Sequence, residues 1–175
     1  LEEDEAKSSH SSRGTLIDYN KSGAALVEIV TKPVFESAAE AVEFSRKIQD
    51  IVRTIGIADV DMEKGQLRLE ANISMRTTEM KENGQYPNYK VEVKNINSFR
   101  FLEKAINYEI QRQTEALRNG EELKQENRGY NEVKGITVLQ RKKEEAKDYR
   151  YFPDPDLPPM TFTEDYLSDI KNSLP

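Results

Sequence analysis

Two short runs rich in Leu, Ile and Val, at residues 15–20 and 24–31, flank Asn20-Lys21-Ser22-Gly23. This is a turn signal between apolar runs, and it predicts a strand–turn–strand unit that Pro33 ends. Ser37 stands three residues ahead of Glu40, the spacing of a capping box. Behind it, Ala41, Phe44, Ile48, Ile51, Val52 and Ile55 share one helical face, and Gly56 closes the segment. Residues 66–76 then alternate. Leu67, Leu69, Ala71 and Ile73 point one way, and Arg68, Glu70, Asn72 and Ser74 the other. Residues 89–94 repeat the pattern, with Val91 and Val93 opposed to Lys90, Glu92 and Lys94. A polar loop at 77–88, tipped by Asn83-Gly84, joins the two as antiparallel neighbours with one apolar and one charged face.

Ser98 is placed to cap a second, longer helix whose buried stripe is Leu102, Ala105, Ile106, Ile110 and Leu117, with Gly120 near its end. Residues 126–141 read as a hairpin around 131–135. The tail DYRYFPDPDLPP is too proline-rich for regular structure, and the last residues read as a helix beginning. No internal repeat or low-complexity segment interrupts this order. The expected fold class is α+β, with a mainly antiparallel sheet and helices on one face.

Composition narrows the function classes. The chain has 26 basic and 32 acidic residues among 175, a formal charge of −6, so a grip on nucleic acid through phosphates would lie largely elsewhere. There are no cysteines and one histidine, His10, which leaves no disulfide framework and no thiolate zinc site. His10, beside two serines, reads as a surface side chain. No apolar run is long enough to span a membrane and no signal-peptide pattern opens the chain, so a cytoplasmic location is expected. Leu1-Glu2-Glu3-Asp4 begins inside a carboxylate-rich segment, so the chain is expected to be a piece of a longer protein.

Charges on the solvated face of a sheet need no explanation by themselves. Three features point further. Glu28 sits within ALVEIV, where a carboxylate is either at a strand edge or buried with a partner such as a cation. Glu2-Glu3-Asp4 offers adjacent oxygen ligands of the kind hard cations take. Arg68, Glu70 and Asn72 on one strand, with Glu92 and Lys94 on another, mix acids, bases and an amide. Phosphoryl transfer uses that mixture, carboxylates for magnesium and cations for the transferred group. No Walker or Rossmann glycine loop is present.

The blocks LEEDEAKSSH, LIDYNKSGAALVEIVTKP, MEKGQLRLEANIS, VEVKNINSFRFLEKAINYEIQRQ and DYRYFPDPDLPP resemble, in order and spacing, those of the GatB-type family of aspartyl/glutamyl-tRNA amidotransferase subunits. The similarity covers essentially the whole chain, and KNINSF and DYRYFPDPDLPP are its most specific blocks. The resemblance implies a glutamine-synthetase-like cradle, here a partial domain over residues 1–160, with 161–175 leading toward a helical domain. It implies a carbon–nitrogen ligase of a heterotrimer, working with an amidase subunit and a small third subunit. ATP and Mg2+ would serve to phosphorylate the side-chain carboxylate of a mischarged transfer RNA, and ammonia from glutamine would displace the phosphate.

The resemblance also assigns residues. Glu2, Glu28 and Glu63 match metal-binding positions. Glu92, Arg68, Glu70 and Lys94 match catalytic ones, and Asn72, Asn95, Asn97, Arg150 and Tyr151 match positions that contact ATP or substrate. The chain departs from the usual pattern at Glu63-Lys64-Gly65, Glu70-Ala71-Asn72 and Glu5-Ala6-Lys7. The family's histidine-bearing block and most of its transfer-RNA contacts fall outside this stretch, so the chain alone is not expected to turn over. Two other readings are compatible with the charged faces: a glutamine-synthetase-like ligase for a free small acid, and a non-catalytic RNA-positioning module.

Overall fold

The computed structural model describes residues 2–3, 6–142 and 158–174, and the chain divides into two compact units, Leu1–Lys32 with Asp148–Pro175, and Pro33–Lys147. Most of the tail motif, residues 148–157 with Arg150 and Tyr151, lies outside the described residues.

In the first unit, β1 (Glu2–Glu3) pairs with β4 (Ala25–Leu26), and β2 (Lys7–Ser11) pairs with β3 (Gly14–Asp18), both antiparallel. The expected strand–turn–strand unit across residues 15–31 is therefore corrected. β3 takes the upstream strand as partner, through a two-residue turn that Ser11 closes by donating to Gly14 O at 3.2 Å. The shorter loop has the lower closure cost. The turn expected at 20–23 does form, with Ser22 N donating to Tyr19 O at 3.0 Å. Beyond Leu26 the second run has no strand partner, so Glu28 lies in irregular backbone and is exposed rather than buried or at a strand edge. His10 is exposed and meets Thr15 Oγ1 across the hairpin at 2.9 Å, as its surface reading expects. Helix α4 (Glu164–Ser173) begins at Thr163, whose hydroxyl accepts from Tyr166 N.

The second unit carries the sheet. Helix α1 (Ala38–Thr54) starts as its sequence predicts. Ser37 Oγ accepts from Glu40 N at 3.2 Å, and Glu40 reaches back to Glu36 N at 2.8 Å. Ala41, Phe44, Ile48 and Val52 are half-buried, but Ile51 and Ile55 are exposed, so the apolar stripe is narrower than expected. Strand β5 (Leu69–Ile73) and strand β6 (Val91–Ile96) pair antiparallel, with Ala71 opposite Val93 and Ile73 opposite Val91. The intervening loop contains a short helix, α2 (Thr78–Glu82), capped by Thr77, where an irregular loop is expected. Helix α3 (Phe99–Arg118) follows, with Ser98 Oγ accepting from Phe101 N, and ends where Gly120 turns left-handed at φ 77°.

Strand β7 (Glu126–Asn131) then pairs parallel with β6, and β8 (Ile136–Lys142) returns antiparallel as the expected hairpin, giving the order β5-β6-β7-β8. The sheet is mainly antiparallel with one parallel joint. α3 supplies the crossover that a parallel pair requires. One sheet face packs on α3, which in turn packs on α1. The core is built from Ala71, Ile73, Val91, Val93, Ile96, Leu102, Ala105, Ile106 and Tyr130, with Ala38 from α1.

The buried stripe of α3 differs from its apolar spacing. Leu102, Ala105 and Ile106 are buried and Leu117 is exposed, while Glu109 and Gln113 are fully buried. Glu109 accepts from Arg112 Nη2 at 2.9 Å, Gln113 Nε2 at 2.9 Å and the Thr137 hydroxyl, and pairs with Arg128 Nε at 3.2 Å. Arg128 also donates to Glu126 at 2.9 Å and to Thr137 Oγ1 at 2.9 Å. Gln113 Oε1 accepts from Tyr89 OH at 3.1 Å, and that hydroxyl accepts from Met75 N. Burial alone would push the Glu109 carboxyl upward, but the bonds from Arg112, Gln113 and Thr137 outweigh it and hold it below the usual range.

Removing that carboxylate should be costly. Glu109→Ala leaves two guanidiniums under the sheet with Glu126 as their remaining acid, and should cost about 3–5 kcal/mol in urea unfolding. Because the folded carboxyl titrates below its unfolded value, its contribution is complete above the ordinary carboxylate range and is lost as pH falls through the folded value. The midpoint of the parent should therefore drop on acidification more than that of Glu109→Gln. Val60 is buried with φ 46°, a left-handed conformation that β-branched residues avoid. Val60→Gly should exceed Val60→Ala in stability by about 1 kcal/mol, the reverse of the order at an extended position.

Candidate active site on the open sheet face

Alternation along β5 and β6 puts Ala71, Ile73, Val91 and Val93 against α3, and so turns Glu70, Asn72, Glu92 and Lys94 to the opposite face. Glu126 and Arg128 reach the buried network on the helix side, so Asn127 and Gly129, between and beyond them in β7, belong to the open face. Register sets the rows: Asn72 opposite Glu92, Glu92 beside Asn127, and Lys94 beside Gly129.

Lys94 Nζ stands between two carboxylates, 3.5 Å from Glu70 Oε2 and 3.6 Å from Glu92 Oε1. Glu92 is the more sheltered acid, its side chain 19% exposed against 45% for Glu70. Exposed pairs of this kind add little stability. Their arrangement instead gives a cation flanked by two anions on an accessible surface, able to exchange partners with an anionic ligand. Asn95 adjoins them on β6 in a left-handed conformation, φ 62°, and is exposed.

Of the residues singled out from sequence, Glu70, Asn72, Glu92, Lys94 and Asn95 are thus brought together on neighbouring strands. Arg68 is exposed immediately ahead of β5. Asn97 lies just past β6, and its amide donates to Glu132 Oε1 at 2.9 Å, tying it to the turn between β7 and β8. Glu63 is exposed in a turn after α1, where its amide donates to Asp61 Oδ1. Glu2 and Glu28 belong to the first unit, Glu2 in β1 opposite Leu26.

Among the described residues no three His, Cys, Asp or Glu side chains cluster as a metal cage. The open face offers two carboxylates and the amide oxygens of Asn72 and Asn127, and Asn127 Oδ1 is buried without a hydrogen-bond partner. That donor set suits magnesium bound to nucleotide phosphates, since the ion commonly takes one or two carboxylates and keeps its other ligands from water and phosphate.

Sequence reasoning missed Glu109, Gln113 and Arg128 beneath the sheet, and, on the open face, Asn127 and Gln140, whose amide lies against Gly129. The first two were within reach: positions 102, 105, 106, 109, 113 and 116 continue one helical stripe regardless of polarity. Asn127 and Gln140 depend on the parallel joint between β6 and β7, for which no local signal exists.

Fold and face together define an α+β domain with a polar, accessible sheet surface backed by helices. Residues 1–168 match the family model of the GatB/GatE catalytic domain, and the chain belongs to that family. Over 175 residues it is 49% identical to the B subunit of an aspartyl/glutamyl-tRNA(Asn/Gln) amidotransferase from Persephonella marina, and 46% identical to its counterpart from Thermus thermophilus. The corresponding chain of Clostridium novyi is 45% identical over 174 residues. These alignments cover 99–100% of this chain, which spans 36% of the length of each relative. No helix among the described residues is long and apolar enough to cross a membrane.

The Asn97–Glu132 contact is exposed and neutral on one side. A double-mutant cycle of Asn97→Ala and Glu132→Ala should give a coupling of about 0.5–1.5 kcal/mol in urea unfolding, and a value of zero would show that this contact does not tie β6 to the turn.

Proposed function

We propose that this chain is part of the catalytic cradle of a tRNA-dependent amidotransferase, residues 1–160 contributing to the cradle and 161–175 leading out of it. Membership of the GatB/GatE catalytic-domain family supports this reading, and the Glu70–Lys94–Glu92 arrangement on the open face carries it. The activity is ATP-dependent phosphorylation of the side-chain carboxylate on mischarged Glu-tRNA(Gln) or Asp-tRNA(Asn), followed by amidation. Glutamine is the amido donor, through an amidase subunit and a small third subunit in a cytoplasmic complex.

Lys94 is the cation that meets the transferred phosphoryl group, exchanging its loose pairing with Glu70 and Glu92 for the phosphate. Preorganised charge of this kind acts where negative charge develops and needs little rearrangement. Arg68, at the edge of the same strand pair, offsets charge on the leaving phosphates. Glu70 and Glu92 would hold magnesium that comes with the nucleotide; the motif resemblance separately assigns metal-binding roles to Glu2, Glu28 and Glu63. The metal supplies charge neutralisation on the phosphate oxygens. Asn72, Asn95 and Asn97 orient the substrates, and Arg150 and Tyr151 are assigned substrate contacts on the motif resemblance alone.

The test uses the intact subunit in its complex. Lys94→Met and Glu92→Gln should each lower tRNA-dependent ATP cleavage by about 100-fold or more while glutaminase activity persists. Free glutamate should not replace glutamyl-tRNA as phosphate acceptor. Unchanged ATP cleavage in both variants would sink the assignment, and cleavage driven by free glutamate would favour a small-acid ligase.

A further inference from the structure

The first unit carries a hairpin whose chemistry differs from that of the rest of the chain. From Ala6 to Ile17 there is no aspartate or glutamate, although the 175 residues hold 32. The same stretch contributes the cations Lys7 and Arg13, the single histidine, and five hydroxyls from Ser8, Ser9, Ser11, Ser12 and Thr15. It folds as β2 and β3 joined by Ser12-Arg13, and every residue of both strands is exposed. The first acid beyond it, Asp18, lies at the base opposite Lys7, where its carboxylate accepts from Asn20 N at 2.9 Å.

The tip of this ribbon is held in shape. Ser11 Oγ accepts from Arg13 N and donates to Gly14 O, both at 3.2 Å. Behind it, His10 Nδ1 and Thr15 Oγ1 meet at 2.9 Å across the ladder. These bonds fix the turn and leave polar groups facing water. Among the described residues, the side chains of Ser8, Ser9, Ser12 and Arg13 have no hydrogen bond or ion pair. Leu16 and Ile17 are 75% and 52% exposed, but as neighbours in β3 they point to opposite faces. They make no continuous apolar patch of the kind that marks a protein contact. A two-stranded hairpin without a packed face is marginal in water, and a bound partner would add the support that no core residue gives it.

We propose that the β2–β3 hairpin is a contact for the phosphodiester backbone of transfer RNA, led by Arg13 at its tip and Lys7 in β2. The inference rests on the reading of the chain as part of a tRNA-dependent amidotransferase, and it names a contact surface for the RNA substrate. Guanidinium, ammonium and hydroxyl groups are the donors that take phosphate oxygens. The missing carboxylates remove the repulsion that a chain of formal charge −6 would otherwise present to a polyanion. Such contacts carry no sequence information, so the hairpin grips the RNA without selecting it.

Arg13→Ala, Arg13→Glu and the double variant Lys7→Ala/Arg13→Ala are made in the intact subunit within its complex. Equilibrium binding of mischarged and of uncharged transfer RNA is measured over a range of salt concentrations. Arg13→Ala should weaken both by about 5-fold near physiological salt and lower the slope of log affinity against log salt by about 1, and the double variant should lower it by about 2. Arg13→Glu should weaken binding further. Under turnover, the KM for transfer RNA should rise, while kcat at saturating RNA, the KM for ATP, glutaminase activity and melting temperature stay near those of the parent. An unchanged Kd and salt slope in both Arg13→Glu and the double variant would overturn the proposal. Loss of subunit assembly with RNA binding intact would also overturn it, and would assign the hairpin to a protein interface. Binding needs no turnover, so the two readings fail separately. RNA binding that responds to Arg13 without tRNA-dependent ATP cleavage overturns the amidotransferase reading alone, and cleavage with unaltered binding in the variants overturns the hairpin alone.

Discussion

A carboxylate with no solvent exposure holds this domain together. Glu109 binds Arg112 and Gln113 on its own helix, Thr137 on β8 and Arg128 on β7, and Gln113 extends the chain of bonds to Tyr89 and the end of β5. The partners on the strands are distant from it in sequence. A buried charge left unpaired is expensive, so the network is satisfied only when α3, β7 and β8 sit together in one register. The apolar core of Val91, Val93, Leu102 and Ala105 drives collapse, but such contacts are non-directional. The directional bonds of Glu109 distinguish this packing from a shifted one.

The make-up of the open face depends on that register through the period of the strand. A slip of one residue in β6 would turn Lys94 and Glu92 inward and Val93 outward, and one in β7 would turn Arg128 away from Glu109. The network on one face therefore determines which side chains populate the other. Glu70, Lys94 and Glu92 lie over β5 and β6, and the carboxamides of Asn95, Asn127 and Gln140 over β6 to β8, because Val93 pairs beside Arg128 and Lys94 beside Gly129. One sheet face thus carries both charged and neutral polar side chains, and the sequence has no Walker or Rossmann glycine loop.

Where local chemistry decides structure, the sequence could be read directly. Ser37 and Ser98 cap the helices their positions predict, the alternation at 67–73 and 91–93 sorts inward from outward residues, and the hairpin at 126–141 forms. Four of the site residues expected from sequence, Glu70, Asn72, Glu92 and Lys94, lie together for that reason, and Asn95 joins them through its left-handed backbone. Non-local facts were not legible. Nothing near β7 announces that it runs parallel to β6, and the apolar run around Glu28 looks like a strand although only Ala25 and Leu26 find a partner. Glu109 and Gln113 were hidden by a different assumption, that a buried helical stripe is apolar throughout.

Amide hydrogen exchange in the intact subunit tests the central claim most directly. If the Glu109 network locks helix to sheet, the amides of 105–113 in α3 and those of β7 and β8 should exchange only through one shared opening, with equal free energies and equal response to denaturant. If the centre of α3 instead exchanges through a separate opening of lower energy while β7 and β8 stay protected, the helix is not coupled to the strands as described, and the network does not set the register of the open face.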